Sequence, residues 1–297
     1  MSNAIQNKYD FMIIYDTRNG MVNANPDSEG LPRMLPANGK SIVTDARIKR
    51  LIRDYVLEVK EEQTGYKLYQ KRGNVLNEQD AQAYAAIGIE NDKTAVKKAK
   101  GENPDLDRQV RDWMCANFWD IRTFGATMTT FTKHGLNCGQ VRGPVQIGIS
   151  ESMDAVNPQI LTISRGTLST AEEAEDKNST FGTKTIIPYA LYTCKGHVDA
   201  TLAQKTTGFD DDDLELLWQA IQNMFEMAHS ASLGDTNVRK LVIFKHDSKH
   251  GNAPAWKLYD LVKITKKEGV KDPACFEDYT IEIDEASVPD GVSVTVL

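Results

Sequence analysis

YDFMIIYD, residues 9–16, is a short apolar run closed at both ends by polar residues. A run of this length predicts a buried strand. The stretch that follows, TRNGMVNANPDSEGLPRMLPANGK (17–40), is rich in Gly, Pro and Asn and reads as a long ordered loop. Loops of that length inside a compact domain are usually functional or disordered. This one carries Arg18, Arg33 and Lys40, which favours function. A helix comes next. Thr44 is its N-cap and Asp45 sits at the positive end of its dipole. Ile48, Leu51, Ile52, Tyr55, Val56 and Val59 form one apolar stripe, and Arg47, Lys49, Arg50 and Arg53 fall outside it.

Outward from this unit, residues 66–72 alternate weakly and are expected to be a strand. Asn77 to Phe118 reads as a helical insertion, with starts at Asn77 and Asp105 and a break at Gly101 and Pro104. IRTFGATMTTF (121–131) and GPVQIGISESMDAV (143–156) are strand-like and joined by a turn-rich linker. Residues 157–187 form two β arms around a polar, acidic tip, the pattern of a protruding hairpin. YALYTCKGHVDATLA (189–203) alternates as a strand. A helix covers 210–229, with Asp210 to Asp213 at its positive end and Leu214, Leu217, Trp218, Ile221, Phe225 and Ala228 as its buried stripe. KLVIFKH (240–246) is a further strand, and YTIEIDEA and VSVTV read as edge strands.

Stripped of insertions, the order is strand, helix, strand, strand, helix, strand. That is the split plan of ferredoxin-like and RNA-recognition folds. The expected class is α+β: an RNA-recognition-motif-like palm (1–60, 119–154 and 188–265), a helical insertion (61–118), a thumb hairpin (155–187) and an acidic C-terminal edge (266–297), all one elaborated domain. Fold order alone gives no function.

The chain has 297 residues, 40% hydrophobic, with no apolar run long enough to span a bilayer and no apolar signal region near Met1, so a cytoplasmic protein is expected. Its four cysteines are scattered and read as free thiols. The net charge of −7 argues against a nucleic-acid partner until its distribution is considered. From Glu268 onward there are eight acids and one lysine, which accounts for the whole excess, whereas Arg33 to Arg53 holds six bases and one acid. Phosphate binding depends on such a local basic surface, not on the total; the plain alternative is a solvated helix face.

FMIIYDTRNGMVNANPD, LPRMLPANGKSIVTDARIKRLIRDYV, WDIRTFGA, GPVQIGISESMD, GTKTIIPYALY, AQKTTGFDDDDLELLWQA and FKHDSKHGNAPAWKL occur in this order and touch most of the chain. This ordered set resembles the repeated backbone subunit of the type I-C CRISPR Cascade complex, in the repeat-associated RNA-binding superfamily. The resemblance implies copies stacked head to tail along one CRISPR guide RNA, with other Cascade subunits as neighbours. It also implies a thumb that displaces a nucleotide at intervals, and exposed guide bases that pair with a target DNA strand. Base pairing then reads the sequence while protein reads backbone and shape.

The residues expected to meet RNA follow from both readings. In the first loop and helix, Arg18, Arg33, Lys40, Arg47, Arg50 and Arg53 are candidate phosphate donors, with Asn23 and Asn25 as neutral partners. Gly39-Lys40-Ser41 resembles a nucleotide-binding loop, but the pattern needs glycine where Met34 stands; its amides are instead candidates for an RNA phosphate. Arg122, Phe124 and Gly125, with Gln140, Arg142 and Gly143, supply cations, a stacking ring and points of close approach. Arg165, Thr180, Phe181 and Lys184 lie on the thumb, with Phe181 as a wedge beside a displaced base or as a packing residue against the next copy.

No nucleophile–base pair or paired carboxylates stand out, so no cofactor, no metal and no catalysis are expected. His246 and His250 share a metal-like spacing, but in a turn rather than on a helix. His197 reads as a structural histidine. The alternative is a CRISPR-associated RNA endonuclease of the same fold, using His134, His197 or a loop acid such as Asp27.

Overall fold

The computed structural model describes residues 4–165 and 180–297. In chain order its elements begin with β1 (Tyr9–Gly20), β2 (Lys40–Val43) and α1 (Asp45–Lys60). Three helices follow, α2 (Leu76–Ile87), α3 (Lys93–Glu102) and α4 (Leu106–Asn117), and then α5 (Trp119–Phe124), β3 (Gly125–Thr127), α6 (Thr129–Lys133) and β4 (Gln140–Arg142). Next come β5 (Val145–Ile147), β6 (Ser150–Ala155), β7 (Gln159–Arg165) and β8 (Thr180–Val198). The chain continues through α7 (Asp211–Asn223), β9 (Asp235–His246), α8 (Ala255–Tyr259), β10 (Val262–Lys266), β11 (Tyr279–Ile283) and β12 (Val292–Val296).

The main sheet runs β12-β9-β1-β8-β6-β2, with β5 and β7 also paired to β8. Every pairing within it is antiparallel, and β1 lies against β8 from Tyr9 opposite Val198 to Gly20 opposite Ile187. Side chains alternate across β1. Phe11, Ile13 and Tyr15 meet α1 and α7, whereas Met12 and Ile14 meet α8 and the β10–β11 hairpin. Both faces are therefore covered, which is why the strand reads as an unbroken apolar run although its sheet is antiparallel.

Helix α1 starts where its capping predicts: Thr44 accepts a hydrogen bond from the Arg47 amide. Ile48, Leu51, Ile52, Tyr55 and Val56 are buried against the sheet, but Val59 is exposed and leaves the expected stripe. At α7, Asp210 and Asp213 close a reciprocal capping box, and Leu214, Leu217 and Ile221 are buried. Helices α2 to α4 fall within the expected insertion and gather a second core around Tyr84, Val110, Met114, Phe118 and Phe131.

Several sequence expectations change. Residues 66–72 form no strand, because the amides of Tyr69 and Gln70 donate to the Asp120 carboxylate at 2.8 and 2.9 Å instead of joining a ladder. Residues 121–131 are mostly helical, in α5 and α6, with only β3 and Met128 between them. The second hairpin arm and the strand expected after it are one continuous strand of 19 residues, β8. The helix expected over 210–229 ends at Asn223 and is followed by a 3-10 turn at Glu226–Ala228. Of the two expected edge strands, β12 edges the main sheet and β11 pairs only with β10. Among the described residues no helix is long and apolar enough to cross a membrane.

Candidate nucleic-acid interface

The N-terminal half of α1 forms one wall of an open groove of about 780 Å³, and the β3–β4 hairpin forms the other. Lys49, Arg50 and Arg53 come from α1, Phe124 and Gly125 from the end of α5, and Gln140 and Arg142 from β4. Six of the residues expected from sequence thus converge here: Arg50, Arg53, Phe124, Gly125, Gln140 and Arg142. Their roles differ.

Arg142 is exposed and has no ion pair or side-chain hydrogen bond among the described residues. Arg50 is about as open, its Nε 3.7 Å from Asp54 and its side chain 54% exposed. Gln140 is exposed beside them. Lys49, which sequence reasoning left off the site, reaches the same groove while holding Asp45 at 3.0 Å. Arg50, Gln140 and Arg142 face water and are held by no close internal acid, so an anion can reach them, whereas Lys49 is largely covered.

Arg53 is a correction. It is 7% exposed, donates to Asp120 at 2.9 Å and lies 5.1 Å from the centre of the Phe124 ring. Phe124 is a correction for the same reason: it is buried, edge-on to Trp119 at 5.7 Å and covered by Arg53, so it has no open face for a base. Asp120 binds Arg53 and two amides of the 66–72 segment together, a buried knot that ties α1 and α5 to that segment at the groove floor.

Gly125 and Gly143 are required by the hairpin itself. Gly125 has φ +78°, and a Cβ on Gly143 would collide with the Gly125 amide nitrogen. Only glycine lets the two backbones approach this closely. Gly143→Ala is expected to cost about 1–3 kcal/mol through overpacking, read as a lowered urea midpoint at unchanged slope.

Arg122, expected to hold phosphate, is the clearest correction. Its guanidinium grips Asp213 through two bonds of 2.6 and 2.7 Å and donates to the carbonyls of Cys115 at 2.8 Å and Gly65 at 3.0 Å. This buried pair joins α5 to the start of α7. All its strong donors are used inside the chain.

The first loop divides likewise. Asn23 accepts from the amide and hydroxyl of Thr44 at 3.0 and 3.1 Å, and Asn25 caps the 3-10 turn at Pro26–Ser28 while donating to Ser28. Asn25 thus spends its donor inside the turn, whereas Asn23 uses only its oxygen, on Thr44. Arg47 donates its Nε to the Val22 carbonyl at 2.9 Å, pinning the loop to α1 outside the groove; burial, then the neighbouring Arg50 charge, lowers its pKa. Lys40 pairs with Glu151 at 2.9 Å across β2 and β6. Ser41 is buried and accepts from the Tyr192 hydroxyl at 3.0 Å. The amides of Gly39, Lys40 and Ser41 donate to Leu35 O, Asn38 Oδ1 and Ser152 Oγ, so no amide cradle is left for a phosphate. Arg18 stands exposed at the end of β1 rather than in the loop, and the Nε of half-buried Arg33 has no partner among the described residues.

On the hairpin, Phe181 is 74% exposed opposite Ser164, and Ile160 and Ile163 are exposed on β7. Lys184 donates to the Ala231 carbonyl. Arg165 and Thr180 are paired in the β7–β8 register, but their side chains lie outside the described residues.

Three of the four thiols are buried. Burial pushes Cys115 and Cys138 up to about 12 and Cys194 up to about 11, so none of these is poised as a thiolate. His246 ends β9 with its ring against Asp10, and His250 stands exposed in the turn beyond, so the two do not share a helix face.

A mixed α/β protein with an antiparallel sheet and a cationic groove at its first helix is what this geometry defines. The chain belongs to the family described as CRISPR-associated protein Cas7, whose model matches residues 7–284. A CRISPR-associated protein Cas7 from Haloferax volcanii is 23% identical over 241 residues, covering 73% of this chain; the chain spans 65% of that relative's length. Among solved structures, a chain of a CRISPR RNA-guided surveillance complex in a pre-nicking state superposes with a TM-score of 0.50 at 13% identity. That match covers 80% of this chain and 78% of the other, and establishes likeness of fold.

Proposed function

We propose that this chain is a non-catalytic RNA-binding backbone subunit of a type I-C Cascade surveillance complex. Copies stack along one guide RNA, hold its backbone, and leave its bases free to pair with a target DNA strand. The observation that carries this reading is the groove between α1 and the β3–β4 hairpin, where Arg50 and Arg142 are open in a chain of the Cas7 family. A guanidinium facing water beside another cation is suited to a phosphate, whose oxygens accept charge-assisted hydrogen bonds.

The sheet supports the finer fold reading. β1, β5–β6, β8 and β9, with α1 and α7 between them, follow the split order, and the sheet sequence β9-β1-β8-β6 supports an RNA-recognition-type palm. We assign the palm to 1–60, 119–154 and 188–265, the helical insertion to 61–118, the thumb to 155–187 and the acidic edge to 266–297. Exposed Ile160, Ile163 and Phe181 on the thumb are apolar groups that a neighbouring copy would cover.

The test is coexpression with a CRISPR array and the partner subunits, purification through this chain, then native mass measurement and extraction of nucleic acid. Several copies on one RNA of defined length are expected. A monomer free of polynucleotide contradicts the proposal. Incubation of the purified chain with labelled repeat RNA, with and without magnesium, should leave the RNA intact; cleavage lost on replacing His134, His197 or Asp27 would establish the endonuclease instead.

A further inference from the structure

On the sheet face opposite α1 and α7, Asp10 lies wholly buried between two histidines. The Asn252 amide donates to His246 Nδ1 at 2.9 Å, so the proton of that ring sits on Nε2 and points at Asp10 Oδ2, 2.8 Å away. His197 meets the other oxygen of Asp10 through Nδ1, and the Lys8 ammonium lies 3.1 Å from Oδ2. Burial by itself raises the Asp10 pKa, but the hydrogen bonds from His197 and His246 and the Lys8 charge outweigh it and hold the carboxyl well below the usual range. A carboxylate only accepts, so His197 Nδ1 is the donor, and in the neutral ring Nε2 is the acceptor.

The His197 side chain is 45% exposed and opens on a second cavity, about 340 Å³, lined also by Lys8, Arg142, Gln146, Lys249 and His250. The carboxylate on this lining, Asp199, is turned to the amides of Thr201 and Leu202 at 2.7 and 3.2 Å. Lys249 is exposed and has no side-chain partner among the described residues. Arg142 and Gln146 line both this cavity and the groove at α1, so the two are adjacent.

We infer that the His197 cavity is a second ribonucleotide position on the same track: Lys249 and Arg142 take the phosphate, and His197 Nε2 accepts a hydrogen bond from the ribose 2′-hydroxyl. This rests on the RNA-binding reading of the first groove and adds a chemical selection to it. Phosphate contacts alone do not separate RNA from DNA, whereas an oriented acceptor for a 2′-hydroxyl does. Asp10 acts through the imidazole as a positioning residue, fixing which nitrogen is free.

The test uses the full chain, a short labelled single-stranded RNA and its all-deoxy counterpart, titrated over a range of salt. Four proteins are compared: the unaltered chain, Arg50→Glu, Lys249→Glu and His197→Asn. Asparagine keeps a donor for Asp10 at the Nδ1 position and has nothing at Nε2. The unaltered chain should bind RNA more tightly than DNA. Lys249→Glu should weaken both by about tenfold and lower the salt slope by about 0.7. His197→Asn should bring the RNA-to-DNA ratio toward one with DNA affinity retained. If His197→Asn fails to fold, RNA carrying 2′-O-methyl riboses decides with the unaltered chain: it has no hydroxyl to donate and should bind about as weakly as the DNA, and binding equal to that of plain RNA overturns the inference. Loss of binding in Arg50→Glu with neither effect at Lys249 nor at His197 overturns this inference and leaves the first groove standing. No response to Arg50→Glu removes the first groove as well.

Discussion

Arg122→Ala is expected to destabilise the chain by about 3–5 kcal/mol, the cost of leaving a buried carboxylate without its cation. Asp213 would keep only the Asp210 amide at 3.3 Å after losing both guanidinium bonds. Arg122 also ties the carbonyls of Gly65 and Cys115, so the loss would loosen the joint between α5, α7 and the end of the insertion. Urea denaturation followed by circular dichroism reads the change. The double variant Arg122→Met with Asp213→Leu should recover much of it, since an apolar pair of similar volume replaces a buried ion pair at little net cost. RNA affinity of folded Arg122→Ala should match that of the unaltered chain. Unchanged stability with lost affinity would return Arg122 to the role its sequence context implies.

The second large effect is on binding. Arg50→Glu combined with Arg142→Glu should reduce affinity for single-stranded RNA by about a hundredfold or more at low salt. It should also flatten the salt dependence by about 1.4, which is about 0.7 for each phosphate no longer neutralised. The same change should barely alter stability, since both side chains are exposed and Arg50 meets Asp54 at only 3.7 Å. Arg53→Glu makes the opposite pattern. It should unfold the groove floor by setting a second carboxylate against Asp120, 2.9 Å from the present guanidinium, and its effect on RNA would follow from lost structure.

Which arginines face solvent was hidden in the sequence for a definite reason. Helical spacing places Arg50 and Arg53 together outside the apolar stripe of α1, but spacing carries no information on partners distant in sequence. Arg53 finds Asp120 across 67 positions and Arg122 finds Asp213 across 91. A basic cluster therefore overstates the free charge wherever the fold brings acids to it. The first strand and helix were legible because their signals are local: one apolar run, one N-cap and one periodic stripe. Residues 66–72 misled because a single carboxylate, Asp120, takes amides that an alternating pattern assigns to a ladder. The Asp10 cluster was invisible for the same reason as the ion pairs, since it is assembled by the register that sets Asp10 opposite His197. An aspartate inside an apolar strand was the one local sign that something polar had to meet it.

Photocrosslinking in the assembled complex tests the groove most directly. Guide RNA carrying 4-thiouridine is irradiated and the attached peptides are identified by mass spectrometry. Crosslinks concentrated on residues 45–53 and 140–146 are expected. Crosslinks confined to other surfaces, with both of these segments unlabelled, would contradict the proposal that the groove between α1 and the β3–β4 hairpin holds the RNA.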